Sequence, residues 1–156
     1  LLRLDRAGRL EQVELPAPAT CITVHGSQLF VGLEKQPGIW VLDLDQSGAP
    51  RQSASWCFSL EETPRALGVD GEGALLLGLG NRVERYTRAG VLMGDWVLRD
   101  AVTAITVGGE EGRTAFLATA SDLYRVQLPS SFGEWAAESL SLGPGERFPC
   151  RWPSWP

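Results

Sequence analysis

Glu62, Asn81, Asp100 and Asp122 are the residues of this chain whose types could do metal chemistry. Three carboxylates and an amide are hard oxygen donors of the kind Ca²⁺ takes, and all four fall in short polar segments between apolar runs. The competing reading is ordinary solvated loop charge. Other chemistry has thinner support. The single histidine, His25, stands in "TVHGSQ" directly before Gly26, where a turn is expected, and has no visible catalytic partner. Cys21, Cys57 and Cys150 show neither C-x-x-C nor C-x-x-C-H spacing, so they are expected as reduced thiols, at least two of them in buried strands. "GLGN" (78–81) reads as a turn, and no phosphate loop, G-x-S-x-G elbow or H-E-x-x-H motif occurs. Nothing here calls for an enzyme.

Those loops need elements to hold them. With 156 residues, 44% hydrophobic and 21% charged, the chain has the composition of one globular domain with a sizeable core. Its longest apolar run, 74–79, is far below the roughly 18 residues of a membrane span. A formal net charge of −5 argues against binding nucleic acid or an anionic membrane through a global positive field. Thirteen of the fourteen basic residues are arginine, and Arg3, Arg6, Arg9, Arg82, Arg85 and Arg88 are expected at solvated outer-strand positions. The first residue, Leu1, leaves a removed leader or a longer parent chain open, and with it the compartment, where the cytoplasm is favoured.

The elements repeat. "LDRAG" (4–8), "LDQSG" (44–48) and "YTRAG" (86–90) place turn glycines at 8, 48 and 90, and "RVQLPSSFG" adds Gly133, giving spacings of 40, 42 and 43. Upstream of the last three stand paired apolar strands: "CITVHGSQLFVGL" (21–33), "ALGVDGEGALLLGL" (66–79) and "AITVGGEEGRTAFLAT" (104–119). Val24, Val69 and Val107 correspond, each followed two positions later by Gly26, Gly71 or Gly109, where a tight hairpin needs positive φ. Continuous apolar runs of this length fit strands buried on both faces. Four short strands per 40–43 residues predict an all-β chain, a β-propeller of about three and a half four-stranded blades belonging to a larger one of about 6–8 blades. The predicted layout is 1–15 as the outer hairpin of one blade, then blades at 19–58, 64–98 and 101–140, with innermost strands at 21–25, 66–70 and 103–107. A β-sandwich is the rival fold, which the matched four-strand order disfavours.

Residues 64–96 resemble an NHL repeat in Pro64, Leu67-Gly68-Val69-Asp70, Gly73, the 75–78 strand, Asn81-Arg82-Val83, and Tyr86 before Gly90. The other blades fit loosely: Val24 and Val107 are followed by His25 and Gly108, and Leu79 stands where the family often carries an acid. The resemblance implies a propeller fold, with lactonase-like propellers as relatives and an RNA-binding NHL module as one further use. In such a fold the segments holding Glu62, Asn81, Asp100 and Asp122 gather on one face, around a central channel. The residues that open the innermost strands, Thr20, Arg65 and Thr103, include no carboxylate, which weighs against a calcium site at the channel mouth.

The tail, 141–156, breaks the repeat with four prolines and carries Phe148, Trp152 and Trp155. Stiff, aromatic-rich backbone of this kind suits docking on a partner, and covering its own last blade is the alternative. The function expected from these features is a non-enzymatic scaffold for protein–protein interaction, without cofactor, whose partners are other proteins or further blades from the parent chain or another subunit. The alternative is a Ca²⁺-dependent lactonase or hydrolase of the propeller type.

Overall fold

The computed structural model describes residues 1–4, 10–51 and 54–129. Within them thirteen strands form four antiparallel sheets. A hairpin of β1 (Leu2–Leu4) and β2 (Leu10–Gln12) precedes a four-stranded sheet of β3 (Ala19–His25), β4 (Gln28–Leu33), β5 (Gly38–Asp43) and β6 (Ser55–Ser59). A second four-stranded sheet holds β7 (Ala66–Val69), β8 (Leu75–Leu79), β9 (Arg82–Tyr86) and β10 (Leu92–Val97). The third contains β11 (Val102–Gly108), β12 (Thr114–Thr119) and β13 (Leu123–Gln127). Every sheet is a meander whose hydrogen-bonded neighbours are consecutive in sequence. The fourth strand expected near Gly133 and the tail with Phe148, Cys150, Trp152 and Trp155 lie outside the described residues.

Sheets pack face on face. Phe30, Ile39 and Phe58 of the first meet Leu67, Leu75, Leu77 and Leu79 of the second. The opposite face of the second sheet, through Ala66, Leu76, Val83 and Trp96, meets Val102, Ala115, Leu117 and Val126 of the third. Residues Leu75, Leu76 and Leu77 are therefore all fully buried, because β8 has a sheet on each side. Strand β7 packs beside β3 and β11, so the three expected innermost strands lie next to one another. This radial stacking rules out two packed sheets of a sandwich.

Two expectations are corrected. Gly71 is the expected positive-φ residue of the β7–β8 turn, but Gly73 takes that conformation, at φ 82°. The Asp70 carboxylate accepts from the backbone N–H of Glu72 and Ala74, both at 2.9 Å, which stretches the turn beyond the two residues Gly26 and Ser27 that join β3 and β4. Gly71 instead donates its N–H to Gly112 O at 3.0 Å, against the neighbouring sheet's turn at Glu110–Gly112. The second correction is Arg85, which is not solvated but 1% exposed. It pairs in register with Leu76 on the face turned to the third sheet, and its guanidinium is paired with the buried Asp70, with Nε 2.8 Å from Oδ2. Glu72 at 3.2 Å and Pro129 O at 3.4 Å also accept from it. A charge enters this core because each guanidinium nitrogen faces an oxygen.

Candidate functional site

Where the first two blades splay apart they leave a cleft of about 390 Å³. Leu60, Leu79 and Leu92 line it with apolar surface, and its charged wall is Glu61, Glu62, Arg82 and Glu84, with Tyr86 beside them. The alternation of β9 builds the wall: Arg82, Glu84 and Tyr86 point toward the first blade because Val83 and Arg85 point toward the third. Glu84 is buried, and its carboxylate takes Arg82 at 3.3 Å on one oxygen and the Tyr86 hydroxyl at 2.6 Å on the other. Arg82 also reaches Glu62 at 3.5 Å. Three carboxylates against one guanidinium give the cleft a negative balance suited to a cation or a hydrogen-bond donor.

Burial, reinforced by the hydrogen bond to Glu84, holds the Tyr86 phenol neutral well above its ordinary range. The unfolded chain loses this proton from about pH 10, before the folded chain does, so the stabilisation is complete below that pH and declines as pH rises through the folded value. Thermal melts are expected to show a falling midpoint above about pH 10, less steep in Tyr86→Phe. Tyr124, raised in the same direction by desolvation and by Asp122 and Asp100, keeps part of that slope in the variant.

The four candidate metal ligands separate. Asp100 and Asp122 come together through the Ser121 hydroxyl, 2.7 and 2.8 Å away, whose one proton serves one carboxylate at a time. Glu62 belongs to the cleft with Arg82, and Asn81 donates to Leu98 O at 3.2 Å. Among the described residues no three His, Cys, Asp or Glu side chains converge to hold a metal.

His25 ends β3, opposite Gln28 across the two-residue turn. Cys21 and Cys57 are free and half-buried on β3 and β6, donating to Pro64 O and Arg88 O. Burial raises both thiols, so thiolate is scarce near neutral pH and neither is a ready nucleophile. Arg88, by contrast, stays exposed: it bonds Gly73 O and the Gln28 side chain and lies over the Phe30 ring, 5.6 Å from its centroid.

No protein-family model matches the chain, and no curated protein matches it. Solved structures do. A gluconolactonase from Xanthomonas campestris superposes with a TM-score of 0.68 at 19% identity, over 82% of this chain and 44% of its own. The β-propeller domain of Cps50 (Swd1) from Myceliophteria thermophila gives 0.55 at 16% identity, over 74% and 37%. The chain has a β-propeller fold. A third likeness, BBS1N solved in complex with ARL6DN, gives 0.58 at 18% identity, over 81% and 43%. The chain thus spans less than half the length of the propellers it matches. At these identities the likeness fixes the fold alone. No helix among the described residues is long and apolar enough to cross a membrane.

Proposed function

We propose that the chain is a non-enzymatic propeller scaffold of NHL type, serving protein–protein interaction within a larger chain or assembly. The observation that carries this reading is the apolar surface on the outermost strands. Trp56 on β6 is 45% exposed, and on and beside β10 Val91, Leu92 and Val97 are 56%, 50% and 67% exposed. Large apolar side chains on unpaired edge strands suit a partner that adds a strand or lays an apolar face there. The tail residues Phe148, Trp152 and Trp155 are a second proposed anchor on the same partner.

The test is capture of partners from the source cell by the wild-type chain, by Leu92→Glu/Val97→Glu and by Trp152→Ala/Trp155→Ala. Binding weakened about tenfold or more in either double variant, with an unchanged circular dichroism spectrum, supports the scaffold. Equal capture by all three chains overturns it. The alternative, calcium-dependent lactonase or hydrolase chemistry, draws on the Asp100–Ser121–Asp122 arrangement, and stoichiometric calcium in the purified protein together with lactone turnover would favour it.

A further inference from the structure

The second sheet sets two carboxylates directly opposite each other on its cleft side. Residues paired across antiparallel strands share a face, so Leu92, Asp95 and Val97 on β10 stand beside Tyr86, Glu84 and Arg82 on β9. Like charges in such a pair destabilise the ladder. Asp95 is exposed and pairs with no cation among the described residues. Glu84 is only 6% exposed, and its Oε2 accepts the Tyr86 hydroxyl. Its Oε1 accepts no hydrogen bond among the described residues and meets only Arg82 Nη1, at 3.3 Å, in an ion pair that Arg82 shares with Glu62. A carboxylate offers about four lone-pair sites, so this buried one keeps acceptor capacity unused at the edge of the cleft.

The lining selects among cations. Glu61, Glu62, Glu84 and Asp95 face a single guanidinium, that of Arg82, so one more positive charge still leaves an acidic excess. A bare metal ion finds no three carboxylates together among the described residues. Leu60, Leu79 and Leu92 border the same space, so the charge has to arrive on an apolar stem. A guanidinium is planar and weakly hydrated and carries five donors, enough to serve Glu84 and Asp95 at once, whereas an ammonium gives up more hydration on entry. The surroundings indicate what carries it. Along β10 the face reads apolar, acidic, apolar, with Leu92 50% and Val97 67% exposed. On β9 the matching rows, Tyr86, Glu84 and Arg82, are two residues apart, the alternation of an extended chain.

We propose that the cleft seats an arginine side chain of a protein partner, carried on an extended segment with an apolar residue two positions to either side. The guanidinium enters between Glu84 and Asp95, and the apolar neighbours rest on Leu92 and Val97. This rests on the scaffold reading and adds the partner's chemistry to it. The arriving charge also relieves the opposition of the two carboxylates, which the chain carries while the cleft is empty.

The probe is the end-blocked peptide Gly-Leu-Ser-Arg-Ser-Leu-Gly, which reads the same in both strand directions, titrated at low salt into the nitrogen-15-labelled 156-residue chain. Saturable shifts are expected at the backbone amides of Leu60, Leu79 and Leu92, fading as salt is added. The same peptide with citrulline for arginine keeps the shape without the charge and is expected to bind at least tenfold more weakly. Asp95→Lys, a change at an exposed position, places a cation opposite Glu84 and is expected to weaken the arginine peptide at least tenfold, while Glu110→Gln on the third sheet's turn leaves it unchanged. Absence of saturable shifts, equal binding of the citrulline peptide, or equal binding by Asp95→Lys each overturns the proposal. Leu92 and Val97 are untouched in these chains. Partner capture lost in Leu92→Glu/Val97→Glu beside absent peptide binding therefore leaves the scaffold standing and removes the arginine seat, and peptide binding beside equal capture does the opposite.

Discussion

Arg85→Ala is expected to lower the stability of the fold by about 3–5 kcal/mol, the range for breaking a buried pair by removing one partner. The guanidinium is 1% exposed and its partner Asp70 2%, so water cannot replace what is removed. Asp70 would keep its two turn N–H donors but lose its counter-charge. Asp70→Asn should cost a similar amount, because it removes the buried counter-charge and leaves Arg85 only the half-exposed Glu72 as an anionic partner. The double variant Arg85→Ala/Asp70→Asn should cost less than the sum of the two, and chemical denaturation of the wild type and the three variants measures that difference. Equal costs for the double variant and the sum would mean that the two side chains act independently.

Leu76→Ala and Leu77→Ala are each expected to cost about 2–5 kcal/mol, although they are neighbours on one strand. In a strand with one wet face only one of two consecutive residues would matter. Here Leu76 points into the core shared with the third blade and Leu77 into the core shared with the first. Val24→Ala on β3 is the internal comparison: at 60% exposure it should cost under about 1 kcal/mol. Urea titrations of the three variants separate the two kinds of strand.

This double burial is legible in the sequence, because "ALLLGL" offers no polar position to turn outward. So are the period and the innermost strands, which come from turn glycines and paired apolar runs. Arg85 reads as a solvated charge on composition alone. Its parity with Val83 is the signal that corrects this, since an apolar residue two positions earlier marks the buried face. The pairing with Asp70 is not legible, because it depends on how far the β7–β8 turn stretches. Nor is the cleft: Glu84, Arg82 and Tyr86 alternate visibly along β9, but whether they meet solvent or a neighbouring blade depends on how the sheets splay. Asp100 and Asp122 are expected at the same end of the fold, yet the serine that joins them draws no notice in the sequence, since a hydroxyl carries no charge.

All the described ladders join strands adjacent in the chain, and this bears on synthesis. Pairings of such short sequence separation close quickly and need nothing from distant residues, so each meander can zip as it leaves the ribosome. The second sheet can form its hydrogen bonds once Val97 has emerged, but the Arg85 guanidinium lacks one acceptor until Pro129, 44 residues on, arrives behind β13. In a nascent chain stopped between these two points, a charge meant for the interior would still be facing water, and exposed Leu76 beside it would mark the stretch that a chaperone has reason to hold.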